Sequence, residues 1–315
     1  MLQYTLRKLL AGIPLILGVT LVSFLLMVYF GPDQTYQLLG KNPTPEQIAE
    51  LRAQLGYDRP FVAGYAGYLR ELATLDFGHS NSTGEPVAAL LGRTVPVSLA
   101  LVAPGFVLGN LFAILLALLA AHHRSRWPDK LIMGFSVIGM SISFLIVIVA
   151  FQIAFSSSSG LNCFPVRGWS SASLRDYLLH VTVPTLAIVF VSLGYNTRFY
   201  RSVIVEELTR DHVRTARAFG TPPARLMLRN VLANCMIPIV TRIVFSIPLI
   251  AISGSLIVES YFGIPGIGKA TYDAIMVGDQ PVLKAVVGLT AVLFVLAQLL
   301  VDILYRAVDP RVSLQ

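Results

Sequence analysis

Apolar residues along the chain gather in six long runs that are separated by more polar segments. The runs lie at residues 9–30, 97–121, 131–155, 181–197, 237–258 and 285–306. A helix needs about 20 predominantly apolar residues to cross a hydrocarbon layer ~30 Å thick, and the runs are of about that length. The fourth run is the shortest and carries polar residues towards its end. The pattern predicts an all-α membrane protein with six transmembrane helices.

The composition agrees with this interpretation. Hydrophobic residues make up 55% of the chain and charged residues only 13%, which is too little charge to cover the surface of a soluble protein. The first run follows charged residues, as it would in a signal peptide. It is too long for one, however, and no small-residue cleavage site follows it. We therefore expect it to remain in place as the first span.

The basic residues are distributed asymmetrically about the predicted spans. Of the 24 Lys and Arg residues, 14 fall on the side of the N-terminus, against 9 in the longer segments on the other side. Because short cytoplasmic loops are enriched in Lys and Arg, both termini are predicted to be cytoplasmic. The net charge of +7 thus reflects topology and does not indicate nucleic-acid binding. Cys163 and Cys235 fall on opposite sides, so no disulfide is expected between them.

Three parts of the chain follow from this topology: the tail and first span at 1–30, an outer domain at 31–96, and a core of five spans at 97–315. Within the outer domain, a hydroxyl N-cap at Thr44 and a capping box with Gln47 predict a helix that Gly56 ends. A second amphipathic stretch has its apolar positions at Tyr65, Tyr68, Leu69 and Leu72. Two interpretations stay open, a lid on the outer ends of the spans and a docking surface for an external partner.

A glycine-rich segment on the outer side resembles a phosphate-binding loop in spacing only. Residues 263–269 fit G-x-x-x-x-G-K, but Ala270 replaces the required Ser or Thr and no strand precedes the segment. A tight re-entrant turn explains the glycines better. The candidate residues for an outer gate or turn are Glu259, Pro265, Gly266 and Gly268. The sequence contains no metal-binding or catalytic motif, so neither a metal nor a catalytic role is predicted.

The inner segment between the fourth and fifth runs, residues 198–238, contains seven arginines and no lysine. An amphipathic helix is predicted over residues 205–219, ended by Gly220 and by the prolines at 222 and 223. Its apolar side is formed by Val205, Leu208, His212, Ala216 and Phe219. Favourable charge pairs are predicted for Glu206 with Arg210 and for Asp211 with Arg214. From these residues alone, two interpretations remain: a helix on anionic lipid, or a docking site for a cytoplasmic partner.

Few polar residues lie within the spans. Arg242 is expected to extend its side chain to the inner surface, and Asp302 to pair with Arg306. Pro184 and Pro248 are expected to kink their helices beside a cavity. Because no ionisable residue is predicted near the bilayer midplane, a proton- or ion-driven relay is not indicated.

The inner segment also carries a recognisable signature. Residues 214–220 together with residues 228–230 and 234–238 resemble the EAA motif of ABC-transporter permeases, in the variant of the dipeptide, oligopeptide and nickel class. Arg214 stands where the general motif has glutamate, and Thr215 replaces the first alanine, whereas Ala216 and Gly220 match. Further collinear resemblances lie at residues 46–52, 55–60, 76–78, 83–86, 258–268, 279–282 and 301–311. The long outer loop and the Pro-Gly-x-Gly turn are similar to those of the B-type subunit.

The resemblance implies an ATP-driven importer in the bacterial inner membrane. Such a transporter has a second homologous permease, two ATP-binding subunits that hold the ATP and magnesium, and an external solute-binding protein. This chain would supply half of the path and a coupling helix at about 206–220, within a coupling loop at 198–236. The implied contacts with the ATPase are Glu207, Asp211, Arg214, Thr215, Ala216, Arg217 and Gly220. Di- or oligopeptides are the expected substrate, with nickel chelates, glutathione or sugar oligomers as alternatives. A stand-alone secondary carrier is the alternative from another class.

Overall fold

The computed structural model describes residues 2–31, 35–39, 43–55, 60–248 and 256–308. All regular secondary structure in these ranges is helical, which confirms the predicted fold class. Five helical segments of the described residues are long and apolar enough to cross a membrane, and the number is six if one bent helix pair is counted as a single span. The five are α1 (Leu2–Phe30), α5 (Val87–His122), α8 (Leu174–Glu207), the α10–α11 segment (Pro223–Pro248) and α14 (Gln280–Val308).

The third predicted span is broken. It consists of α6 (Trp127–Ser141) and α7 (Phe144–Ser156), whose axes meet at 103° across two extended residues, Ile142 and Ser143. The expectation of one straight helix over residues 131–155 is therefore wrong. Both halves pack against α8.

The fourth predicted span is longer than its apolar run. α8 extends beyond the run at both ends, and its start is capped by Ser173, whose hydroxyl accepts a hydrogen bond from the Asp176 N–H at 3.1 Å. The polar residues that shortened the apolar run face the protein interior. Thr197 is fully buried, and Asn196 forms hydrogen bonds with three other side chains. Pro184 lies buried inside this helix.

The fifth predicted span begins well before its apolar run. α10 (Pro223–Arg225), a π-helical segment (Leu226–Leu232) and α11 (Ala233–Pro248) follow one another without a break. The helix that follows, α12 (Leu256–Phe262), begins inside the predicted run, and the intervening residues 249–255 lie outside the described ranges. Pro248 is the last described residue of α11.

The outer domain contains α2 (Thr35–Leu39), α3 (Pro45–Leu55) and α4 (Phe61–Thr74). The predicted capping box is confirmed: Thr44 Oγ1 accepts the Gln47 N–H at 3.3 Å, and Gln47 Oε1 accepts the Thr44 N–H at 3.0 Å. Gly56, which was predicted to end α3, lies outside the described residues.

The helix α4 is a lid on two spans. Tyr68 is fully buried in a cluster with Phe24 of α1 and Val286 of α14. Its hydroxyl donates to the Lys284 carbonyl at 2.9 Å, and the Lys284 ammonium lies 2.8 Å from the Glu71 carboxylate. The lid interpretation is thereby confirmed, whereas docking of an external partner on this domain stays a prediction.

Candidate functional site

The inner segment forms two helices where one was predicted. α8 ends at Glu207, and α9 (Asp211–Ala218) begins after three intervening residues. The Thr209 and Arg210 N–H groups donate to the carbonyls of Glu206 and Glu207, which closes a tight turn. Arg210 then adopts an extended conformation, with φ −68° and ψ 149°. The prediction of one helix over residues 205–219 is wrong, because this turn redirects the chain so that a side of α9 packs on the protein.

The helix α9 is anchored by one buried side chain. Val213 is fully buried, and it belongs to a cluster that includes Ile204 of α8 and Val231 of the π-helical segment. A polar contact supports it, since the His212 Nε2 lies 3.0 Å from the Asn234 Nδ2. The same nitrogen lies 3.2 Å from the Glu207 carboxylate. These contacts attach α9 to the inner end of α8 and to the start of α11.

The other side of α9 is exposed to solvent. The Asp211 and Arg214 side chains are 96% and 70% exposed. Of the remaining implied contact residues, Thr215, Arg217 and Gly220 are exposed, Ala216 is half-buried and Glu207 is mostly covered. Phe219 is 84% exposed, against the prediction that it joins the apolar side, because it lies where the helix ends.

The predicted charge pairs on this segment are confirmed. Arg210 lies 3.6 Å from Glu206, and Arg214 lies 3.6 Å from Asp211. Because all four side chains are exposed, such pairs contribute at most ~1 kcal/mol to stability. They leave the segment with charges of both signs on its surface.

Gly220 ends α9 as predicted. Its φ of +77° is in the left-handed region, where a residue with a Cβ is strained. The Gly220 N–H donates to the Arg217 carbonyl at 3.0 Å, and the Thr221 N–H donates to the Ala216 carbonyl at 3.1 Å. Two prolines follow, and the second begins α10. Gly220 therefore sets the direction in which the chain leaves α9 and enters the next membrane helix.

A buried ion pair fixes the inner end of α8. The Arg201 guanidinium donates to both carboxylate oxygens of Asp129, with the Nη2–Oδ2 distance at 2.6 Å. Asp129 is 4% exposed and also accepts the Ser125 N–H at 2.9 Å. Sequence reasoning missed this pair, because Asp129 and Arg201 are far apart in the chain. The only local signal was an acidic residue in the first turn of α6, after Trp127 and a proline.

The outer candidate residues form a compact turn between α12 and α13 (Ile267–Val277). Glu259 is fully buried, and its Oε2 accepts the Lys269 N–H at 3.0 Å. The Ser98 hydroxyl of α5 accepts the Ile267 N–H at 2.7 Å. These two side chains satisfy donors in the first turn of α13, where backbone N–H groups lack helical partners and a negative charge is favoured.

Position 266 requires a glycine because the turn leaves no room for a side chain. A Cβ at this position would collide with the Glu259 carboxylate and with the Ser98 hydroxyl. Pro265 and Gly266 line a small cavity of about 200 Å³, and Gly268 is buried in the first turn of α13. The tight turn is confirmed, and a gating role for these residues stays a prediction.

A second buried carboxylate ties the outer loop to α14. Asp279 is fully buried and accepts the hydroxyls of Ser80 at 2.5 Å and of Ser82 at 2.6 Å. It also accepts the backbone N–H groups of Asn81 and Ser82 at 3.2 Å and 3.1 Å. Sequence reasoning used Asp279 only as part of a family resemblance, because its partners at residues 80–82 lie about 200 residues away in the chain.

The largest of the cavities lined by the described residues, about 900 Å³, lies between α5, α7, α8 and α11. Most of its lining is aliphatic or aromatic, but Asn110, Ser192, Asn196 and Arg242 contribute polar groups. The Arg242 Nε donates to Asn196 Oδ1 at 2.9 Å, and its guanidinium carbon lies 4.6 Å from the centre of the Phe199 ring. The expectation that Arg242 extends to the inner surface is wrong, because these partners hold the guanidinium inside the helix bundle.

Asp302 lies in α14, and the side chain of its predicted partner Arg306 lies outside the described residues.

Comparisons with known proteins cover the chain almost from end to end. Residues 113–314 match the family described as "Binding-protein-dependent transport system inner membrane component", and residues 1–102 match its N-terminal companion family. A putative peptide transport system permease protein of Brucella abortus is 30% identical over 310 residues, which is 98% of each chain. A similar protein of Brucella melitensis is also 30% identical, over 98% of this chain and 97% of its own. The glutathione transport system permease protein GsiC of Salmonella typhimurium is 32% identical over 314 residues, or 99% of each chain.

Proposed function

Because the chain belongs to the family of binding-protein-dependent transport system inner membrane components, we propose that it forms half of a peptide path and that α9 receives the movement of an ATPase. The chain is a multi-pass permease of an ABC importer in the inner membrane, and it works with a solute-binding protein and ATPase subunits. The observation that carries the proposal for α9 is its combination of an exposed charged face with an anchored apolar face.

Charge favours a protein partner for α9 over a lipid surface. Beside the arginines, the side chains of Glu206 and Asp211 are 75% and 96% exposed. Anionic headgroups repel such carboxylates, whereas a protein surface can pair with charges of both signs. The exposed ring of Phe219 adds an apolar group of the kind found in the centre of protein interfaces.

In the proposed mechanism, α9 transmits movement of the ATPase to the membrane helices. ATP and magnesium bind to two ATP-binding subunits, and closure of their dimer pushes on α9. The push reaches α8 and α11 together, since α9 is attached to both through Val213 and His212. Those two helices line the largest cavity, so their movement changes access to it. This chain carries out no hydrolysis itself, and a second permease completes the path. Both termini lie in the cytoplasm.

Peptides are the proposed substrate class. Among the relatives described above, two are named for peptide transport and one for glutathione transport, and glutathione is itself a small peptide. A cavity of about 900 Å³ falls in the upper part of the range of small-ligand sites. Nickel chelates and sugar oligomers are the alternatives within this class of permease.

Purification of the chain from its native membrane in a mild detergent tests the assembly. The expected result is co-purification of a second six-span permease and of ATP-binding subunits. The purified complex, reconstituted in vesicles with its binding protein, is expected to take up a tripeptide library only when ATP is supplied. Recovery of the chain alone or as a homo-oligomer in several detergents would contradict the proposal and favour a secondary carrier, with α9 as a lipid-surface helix.

A further inference from the structure

Arg242 brings the only formal charge to the largest cavity. Among the described residues that line it, none is acidic, and none of the ion pairs in the described ranges includes Arg242. A charge in an apolar membrane environment is costly unless it finds a partner, and ionisable residues inside bundles mark ligand paths. We propose that Arg242 binds the C-terminal carboxylate of the transported peptide in this cavity.

The guanidinium is held in place by a chain of hydrogen bonds across three helices. The Tyr200 hydroxyl donates to Asn110 Oδ1 at 2.6 Å, and the same oxygen accepts Asn196 Nδ2 at 3.3 Å. Asn196 Oδ1 in turn accepts the Arg242 Nε. Tyr200 is fully buried and Asn110 is 6% exposed, so these hydrogen bonds begin in the protein interior. Arg242 is therefore oriented before a ligand arrives.

The remaining donors of Arg242 suit a carboxylate. Its Nε is occupied by Asn196 and one face of its plane covers the Phe199 ring. In the described part of the chain, no hydrogen bond involves its two terminal nitrogens. A guanidinium presents parallel N–H groups at the spacing of the two carboxylate oxygens, which gives a bidentate bond. The aromatic and aliphatic walls around it suit the variable side chains of a peptide.

The inference rests on the proposed function, and the experiment separates the two. The complete reconstituted importer, with its binding protein, is given a tripeptide library in two forms, as free acids and as C-terminal amides. Uptake of each form is measured for the wild type, for Arg242→Gln and for a control, Arg198→Gln. Arg198 is an exposed arginine of α8 outside the cavity lining. Because the binding protein is identical throughout, any change in the ratio of acid to amide uptake originates in the permease.

The expected result is a selective loss. Arg242→Gln should lower uptake of free acids about tenfold or more, as the removal of a charge-assisted bidentate bond implies, and change uptake of amides less than twofold. Arg242→Lys keeps the charge but lacks the planar fork, so its ratio should fall between those of the wild type and Arg242→Gln. Arg198→Gln should keep the wild-type ratio.

An equal loss of acids and amides in Arg242→Gln would overturn the inference, and so would an unchanged ratio. Either result would give Arg242 a purely structural role or a carboxylate partner on the second permease. The ratio is independent of how much variant folds, and if Arg242→Gln fails to assemble, the ratio in Arg242→Lys decides in the same way. Absence of uptake of both forms by the wild type would instead overturn the peptide proposal itself.

Discussion

The inner segment and the outer turn use charged residues in opposite ways. On α9, Asp211 and Arg214 are exposed and touch mainly each other. At the outer turn, Glu259 and Asp279 are fully buried and accept backbone N–H groups from elsewhere in the chain. Buried carboxylates with backbone partners hold a structure together, whereas exposed charges with weak mutual contacts remain available to another molecule. The difference distinguishes α9, whose charges are available for docking, from the outer turn, whose carboxylates stabilise the fold.

Two arginine–carboxylate pairs repeat the contrast at the level of a single bond. Both are bidentate, but the Asp129 side chain is 5% exposed and that of Glu85 is 28% exposed. The hydrogen bond from Arg93 holds the pKa of Glu85 below its usual value. Because this carboxyl is in contact with water, the pair adds little to stability. The Arg201–Asp129 pair, which lies at the base of the inner segment, is the one expected to contribute more to stability, because its carboxylate is buried.

The largest effect is expected from Asp129→Asn. The substitution leaves the Arg201 guanidinium, whose side chain is 23% exposed, without its buried charge partner, which costs up to about 3 kcal/mol. Thermal unfolding in detergent should show a clear decrease in Tm. The matched control is Glu85→Gln, which breaks an exposed pair of the same geometry and should leave Tm unchanged. Equal shifts in the two variants would contradict the distinction between the buried and the exposed pair.

A smaller loss is expected from Gly266→Ala at the outer turn. The new Cβ must displace the Glu259 carboxylate or the Ser98 hydroxyl, and overpacking of this kind costs about 1–3 kcal/mol. Gly92→Ala is the control, because a Cβ there, inside α5, meets no atom within 4 Å. It should keep or slightly raise Tm. A stable Gly266→Ala variant would show that the outer turn is not tightly packed.

The effect of Gly220→Val on stability should be smaller, but its effect on transport large. A branched residue at a φ of +77° costs about 1–2 kcal/mol, which is relieved if the chain leaves α9 in another direction. Peptide uptake should then fall while the membrane helices remain folded. Gly220→Asn tolerates the left-handed region better and should retain most of the uptake. Uncoupling by both variants alike would indicate that the size of the side chain matters and the backbone does not.

Sequence reasoning succeeded where the signal was local. The capping box of Thr44 and Gln47, the left-handed Gly220 and the apolar runs each depend on residues within a few turns of helix. The break between α8 and α9 was missed although the pair of Glu206 and Arg210 was correct, because that pair fits a turn as well as a helix. What decided the break is the burial of Val213 against residues of two other segments.

The polar partners of the helix bundle could not be read from the sequence for a related reason. Asp279 meets Ser80 across 199 residues of chain, and Arg242 meets Asn196 across 46. No periodicity links residues at such separations, and their meeting depends on how whole helices pack. Arg242 was therefore assigned the generic behaviour of an arginine near a helix end, which its position inside the cavity contradicts.

The most direct test of the central claim is a cross-link from α9 in the native membrane. In a variant with Cys163→Ser and Thr215→Cys, the exposed new thiol carries a photo-activated cross-linker, and the remaining Cys235 is buried. The account predicts an adduct with an ATP-binding subunit whose yield changes when ATP is added. Ser159→Cys, on an exposed outer loop, should give no such adduct. Thr215→Cys adducts with lipid alone, in membranes that contain the assembled transporter, would contradict the claim that α9 docks an ATPase.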